Sequence, residues 1–160
     1  MFLNSKRFFN FDTSTILIYL IGCFLFSLGA KFFIDSNLGV DPLDSMILGI
    51  VNYTNLKIGT VSALVAILFL SIWSLWNKKR PIITPFITMT LVGYLIDFWN
   101  YLNIIYYFFG NINYYILMII GLAVCSYASS LIIMSGIGIR TMDLVAITMV
   151  QRLGFSIFLC

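Results

Sequence analysis

A polytopic all-α membrane bundle is the fold class this chain predicts, and three observations predict it. Of its 160 residues, 61% are hydrophobic and 9% charged, with a mean hydropathy of +1.04. A soluble domain carries about 25% charged residues, so the solvent these side chains can face is hydrocarbon. Four apolar runs are each long enough to cross a bilayer. Two shorter stretches, Leu38 to Asn52 (LGVDPLDSMILGIVN) and Ile137 to Gln151 (IGIRTMDLVAITMVQ), follow the first and fourth runs and are too short to cross.

Met1 to Asp12 is a polar and aromatic lead with Lys6 and Arg7. Thr15 to Ile34 is the first span, apolar except for Lys31 and too long for a cleaved signal's apolar region. Within the stretch that follows, about ten residues, Leu43 to Val51, are helical and apolar, a re-entrant or interfacial length. Ile58 to Trp76 is the second span, with Trp73 and Trp76 as an interfacial belt. The basic turn NKKRP leads into the third, Ile82 to Leu102, which tolerates Pro85 in its first turn and carries Asp97 near its far end. After an uncharged aromatic loop comes the fourth span, Tyr114 to Met134.

If the two short segments do not cross, Lys6, Arg7, Lys78, Lys79, Arg80, Arg140 and Arg152 share one side and Lys31 and Lys57 the other. That bias predicts a cytoplasmic amino terminus in a multi-pass cell-membrane protein. A crossing by Leu43–Val51 would destroy it.

An offset of 99 residues superposes the two short stretches and their flanks. Ile21, Gly22, Ser27, Ile34, Ser36, Gly39, Asp44, Val51 and Ile58 fall on identical residues, nine of the 38 positions compared. The glycine, serine and aspartate matches carry the weight, because apolar matches are frequent in such a chain. The prediction is one membrane domain over 1–160, with a first unit over about 13–102 and an incomplete second over about 112–160. Three spans per unit makes the repeat inverted, as in secondary transporters. The counterparts of the second and third spans would fall beyond residue 160, so a protein of a little over about 200 residues is expected from the repeat.

The candidate polar residues are few. Asp41 reads as a helix N-cap, Pro42 as the first helical residue and Asp44 as the acidic member of a capping box; Thr141 can cap in the second copy. Asp44 and Asp143, the one acidic pair the repeat retains, are the alternative cation or proton site. The helix dipole would hold them ionised. Lys31 and Asp97 lie at matching depths, about 24 and 22 Å along their spans, and an intramembrane pair between them is expected, since such charges pair or face water. Gly22, Ser27 and Gly29, with Gly121, Ser126 and Ala128, would let the two units approach closely.

Chemistry is sparse. The chain lacks His and Glu, and Cys23, Cys125 and Cys160 share no metal-ligand spacing. No nucleophile–base set is visible, so no enzyme, metal or cofactor is expected. The partners expected are the lipid bilayer and a small solute or ion, with no nucleic acid. LGVDPLDSMILGI with KIGT at Lys57–Thr60, GYLID at Gly93–Asp97 and SGIGIRTMDLV at Ser135–Val145 resemble the YczE/YyaS family of bacterial membrane proteins, whose layout is similar to that of the YitT family. The resemblance implies a cytoplasmic-membrane protein and carries over no catalytic residue. A small secondary transporter or permease is the first expectation for function; a non-transporting protein that regulates or scaffolds a partner is the second.

Overall fold

A computed structural model of the chain describes residues 12–78, 83–102 and 113–138, together with 140, 141, 143–145, 148 and 150. The described residues form five helices: α1 (Thr13–Ser36), α2 (Pro42–Thr54), α3 (Ile58–Asn77), α4 (Ile83–Leu102) and α5 (Tyr114–Ser135). Beyond α5, residues 141, 143–145, 148 and 150 are helical as well. The bundle is therefore all-α, with the spans within two residues of the limits expected. The basic turn at 79–82 and the aromatic loop at 103–112 lie outside the described residues.

Three helices, α1, α3 and α5, are long and apolar enough to cross a membrane. With 20 residues α4 is as long as α3, but Thr84, Thr88, Thr90, Asp97 and Asn100 make it less apolar. At 13 residues α2 is longer than the stretch Leu43–Val51 and still too short to cross. The bundle's outer faces are hydrocarbon: Leu64, Ile67 and Leu68 on α3 and Ile116, Ile119 and Leu122 on α5 are all at least half exposed. In water such patches would drive aggregation; in lipid they match the solvent.

Close contacts fix the helix directions. Gly22 of α1 abuts Ile132 of α5, Gly29 abuts Cys125, and Gly121 abuts Phe32, so α1 and α5 are antiparallel. A Cβ on Gly29 would stand 2.6 Å from the Cys125 sulfur, which is why that position needs glycine. Ala128 is fully buried in the same region. Gly59 and Gly93 bring α3 and α4 together antiparallel, with Asp97 Oδ1 and Oδ2 accepting from the amides of Ile58 and Gly59 at 3.1 and 2.8 Å. Tyr19 bonds Thr88 at 2.8 Å and Trp99 donates to Ser27 at 3.0 Å, so α1 and α4 are parallel. Of the small residues expected at the contact between units, Ser126 is exposed and bonds only the carbonyl of Leu122 in its own helix.

The Lys31–Asp97 pair does not form. Lys31 Nζ bonds Asp35 Oδ1, one helical turn on, at 2.5 Å. Asp97 is spent on the first amides of α3. The local i, i+4 partner costs Lys31 less side-chain ordering than a partner on another helix. Asp97 instead accepts from the amides of Ile58 and Gly59, which as the first donors of α3 have no partner within their own helix.

Candidate functional site

The two chain reversals after α1 and α5 are built alike. Asn37 and Gly136 end their helices in the left-handed region and donate to the carbonyls of Ile34 and Ile133. Ser36 Oγ donates to the carbonyl of Phe33 and accepts from the amide of Leu38; Ser135 Oγ donates to the carbonyl of Ile132 and accepts from the amide of Ile137. Each serine satisfies one orphan carbonyl at its helix end and one amide of the turn. Every member of the second set lies 99 residues after its counterpart. Gly39, at φ 147°, then lets the chain turn back towards the bundle.

Both reversals deliver charges to the middle of α1. Asp41, at the N-cap position of α2, sends its carboxylate to Arg140, with Oδ2 to Nη1 at 3.2 Å. Arg140 also lies 3.4 Å through Nε from Asp143 Oδ2, and its Cζ sits 4.6 Å from the ring centre of Phe26, near the midpoint of α1. The guanidinium thus has a carboxylate from each short segment and an aromatic face beneath it. Beside it is a cavity of about 20 Å³, room for about one water molecule, lined by Asp44, Phe26, Ser62, Thr88, Met89 and Arg140 among others.

Several expected roles are corrected here. Asp41 caps no amide of α2 with its side chain, although its carbonyl accepts from Ser45 at 2.8 Å. The Arg140 guanidinium is the stronger partner for a carboxylate. Pro42 does hold the first helical position. Asp44 makes no capping-box bond to Asp41, since two carboxylates share that helix start. Thr141 does not cap with its hydroxyl, which points to the Met89 sulfur in a fully buried site. Arg140, counted above as a surface cation, lies inside the bundle.

Asp44 gives up its proton less readily than the helix dipole alone implies. Burial, first, and then the neighbouring Asp41 charge raise its pKa from 3.8 to about 6, while Arg140 pulls the other way. Desolvation outweighs the dipole because the carboxylate faces apolar side chains rather than solvent. Of the four charged candidates, the structure brings Asp44 and Asp143 to the same cluster, with Arg140 between the two short segments. It leaves Lys31 and Asp97 elsewhere in structural pairings. Phe26, Thr88 and Met89 had no distinguishing signal in the sequence.

This site sits in a chain that belongs to a family of unknown function, DUF6198, whose model matches residues 13–158. Among curated proteins the chain is similar to the uncharacterized protein YyaS of Bacillus subtilis, 32% identical over 92 residues, which are 56% of this chain and 46% of that protein. It is also similar to the uncharacterized membrane protein YczE of the same organism, 23% identical over 141 residues, 87% of this chain and 64% of that one. The resemblance to the YczE/YyaS family read from the sequence is therefore correct. The matches span about half and about two thirds of those relatives' lengths. No solved structure matches. The apolar helices and the relatives together make this an integral membrane protein.

Proposed function

We propose that the chain forms the core of a small secondary transporter in the bacterial cytoplasmic membrane, with an inverted internal repeat and its solute or ion site at the Asp41–Asp44–Arg140–Asp143 cluster. The observation that carries the reading is the contact between Asp41 and Arg140, positions 99 residues apart that meet over Phe26. Counterparts of two units touch only near a two-fold axis relating them. The sulfur of Cys125 behaves alike, donating to the carbonyl of Phe26, 99 residues earlier. The recurring serine turns and the antiparallel α1–α5 pair support the same relation. Short helices starting beside charges in the bundle's middle are the construction used for midplane sites in such transporters.

An Asp44 that titrates near neutral pH suits proton coupling, because a carrier must load and release within the working range. Without Arg140, six basic residues remain on the Lys6 side against two on the other. That still favours a cytoplasmic amino terminus.

The test is uptake of a labelled solute panel into proteoliposomes under an imposed pH gradient. A transported solute should appear, with uptake falling at least tenfold in Asp44→Asn and in Arg140→Gln. If nothing moves and a second protein copurifies from the native membrane, the transporter reading fails and a scaffolding role replaces it.

A further inference from the structure

Two hydroxyl groups meet inside the bundle. Tyr19 of α1 and Thr88 of α4 are 6% and 0% exposed, and their oxygens lie 2.8 Å apart. Thr88 also donates to the carbonyl of Thr84 at 3.0 Å. Fastening two spans needs no more than such a bond, but two observations give the pair a further use.

The first is its place. Thr88 lines the same water-sized cavity as Asp44, and Tyr19 stands behind it. Tyr19 is two turns before Phe26, about 10 Å nearer the start of α1, and Thr88 is about 8 Å from the start of α4. Because α1 and α4 run parallel, the pair leads from the cavity towards the amino-terminal side. The second is Gly138, in the reversal that carries Arg140. A Cβ there would collide with Thr88 Oγ1 and stand 3.5 Å from the Tyr19 hydroxyl. Gly138 lacks the positive φ of Gly39 and Gly136. Room for the hydroxyls, and not the backbone's own conformation, is therefore what demands glycine at this position.

We propose that Thr88 and Tyr19 form the proton path between Asp44 and the amino-terminal side of the membrane. Each step conserves the proton count. Asp44 gives its proton to a water molecule in the cavity, which has room for one. Thr88 Oγ1 takes a proton from that water and passes its own to the Tyr19 oxygen, and Tyr19 passes its own to water on the amino-terminal side. Loading runs the same steps in reverse. The 2.8 Å bond can run either way, so Thr88 has only to turn its hydrogen from the Thr84 carbonyl to the Tyr19 oxygen. The path rests on the reading of Asp44 as a proton carrier and adds which residues serve it, and from which side.

The test needs no transported solute. Protonation of Asp44 is followed in the whole chain in lipid nanodiscs, as the carboxyl infrared band that appears after a pH jump and is lost in Asp44→Asn. Tyr19→Phe, at a position outside the cavity lining, should slow the band's appearance at least about tenfold and leave its titration midpoint unchanged. Thr88→Val should slow it as much, and the two together no more than either alone, because the hydroxyls act in series. Thr88→Ser should keep the wild-type rate, while Gly138→Ala, which retains both hydroxyls, should slow it by displacing them. A pair that only fastens helices would leave the rate unchanged in Tyr19→Phe. That result overturns the path and leaves Asp44 as the carrier. A band that Asp44→Asn does not remove overturns both.

Discussion

Substituting asparagine for Asp44 removes an ionisable group from the central cavity while nearly preserving the side chain's shape. The folded state raises the Asp44 pKa from 3.8 to about 6, so it binds this proton more tightly than the unfolded chain does. Below pH of about 4 the carboxyl is neutral in both states and carries no penalty. As pH rises from there towards and past 6, the unfolded chain ionises first and the folded state loses stability relative to it. A shift of about two units, at about 1.4 kcal/mol each, makes the full loss about 3 kcal/mol. That net shift already contains any attraction between the ionised first-turn carboxylate and the start of α2. Equilibrium unfolding in detergent micelles, followed by tryptophan fluorescence between pH 4 and 8, measures the balance as wild type minus variant, which cancels the other carboxylates. The two proteins should be nearly equal at pH 4, and Asp44→Asn the more stable by about 3 kcal/mol at pH 7.5. A variant less stable than wild type at pH 7.5, or a difference that does not change with pH, would refute this account of the cavity.

Further outcomes are expected, all read by the same unfolding measurement. Arg140→Gln should cost about 2 kcal/mol by stripping Asp41 and Asp143 of a charged partner, and adding Asp41→Asn should recover part of it, a coupling of about 1 kcal/mol. Gly93→Ala should cost about 1–3 kcal/mol, because the new Cβ would lie 2.9 Å from the Gly59 Cα and closer still to the Ser62 hydroxyl. Gly49→Ala, with nothing within 4 Å of the added atom, should instead gain up to about 1 kcal/mol of helix propensity. Lys31→Asp combined with Asp97→Lys should be no better than the worse single variant, and Asp97→Ala alone should cost about 1–2 kcal/mol by freeing two amides at the start of α3.

The spans were legible because hydropathy over about 20 residues is set by the bilayer and hardly by tertiary context. Their ends were legible where a local device marks them: Pro42 at the start of α2, and the polar or small residues Asn37 and Gly136 just past α1 and α5. What failed was pairing across helices. Matching depths suggested Lys31 with Asp97, but depth says nothing about azimuth, and Asp35 lay one turn away on the same face. The Asp97 cap could not be read without knowing that α3 and α4 are neighbours. Ser36 and Ser135 stood in the sequence as an identity at the repeat offset, and their role was within reach. Serine ahead of a residue suited to the left-handed region is a local signal. The raised pKa of Asp44 was not legible, because the dipole of α2 is visible in a sequence and the burial of the carboxylate is not.

One substitution between the two copies gains a physical reason from the geometry. At the 99-residue offset Arg140 stands opposite Asp41, while Asp44 and Asp143 are the retained pair. In the fold the two positions touch. Where counterparts meet across a two-fold axis, an ionisable residue faces its own copy, and two facing aspartates would repel in a setting that solvates neither well. Opposite charges at that one position turn the repulsion into the bond that joins the short segments, and symmetry elsewhere can be kept. Asp44 and Asp143 are free to stay identical because Arg140 stands between their segments. The divergent position therefore supports the repeat we infer as much as the identical ones do. It makes a discriminating test available: Arg140→Asp should destabilise the fold more than Arg140→Gln, by about 1 kcal/mol or more, because it adds a third carboxylate near Asp41 and Asp143 rather than merely deleting their partner. Arg140→Asn, with nearly the size of aspartate and no charge, separates the two causes. The extra loss should appear in Arg140→Asp and not in Arg140→Asn, and an equal loss in both would show that the side chain's size, not its charge, was at fault.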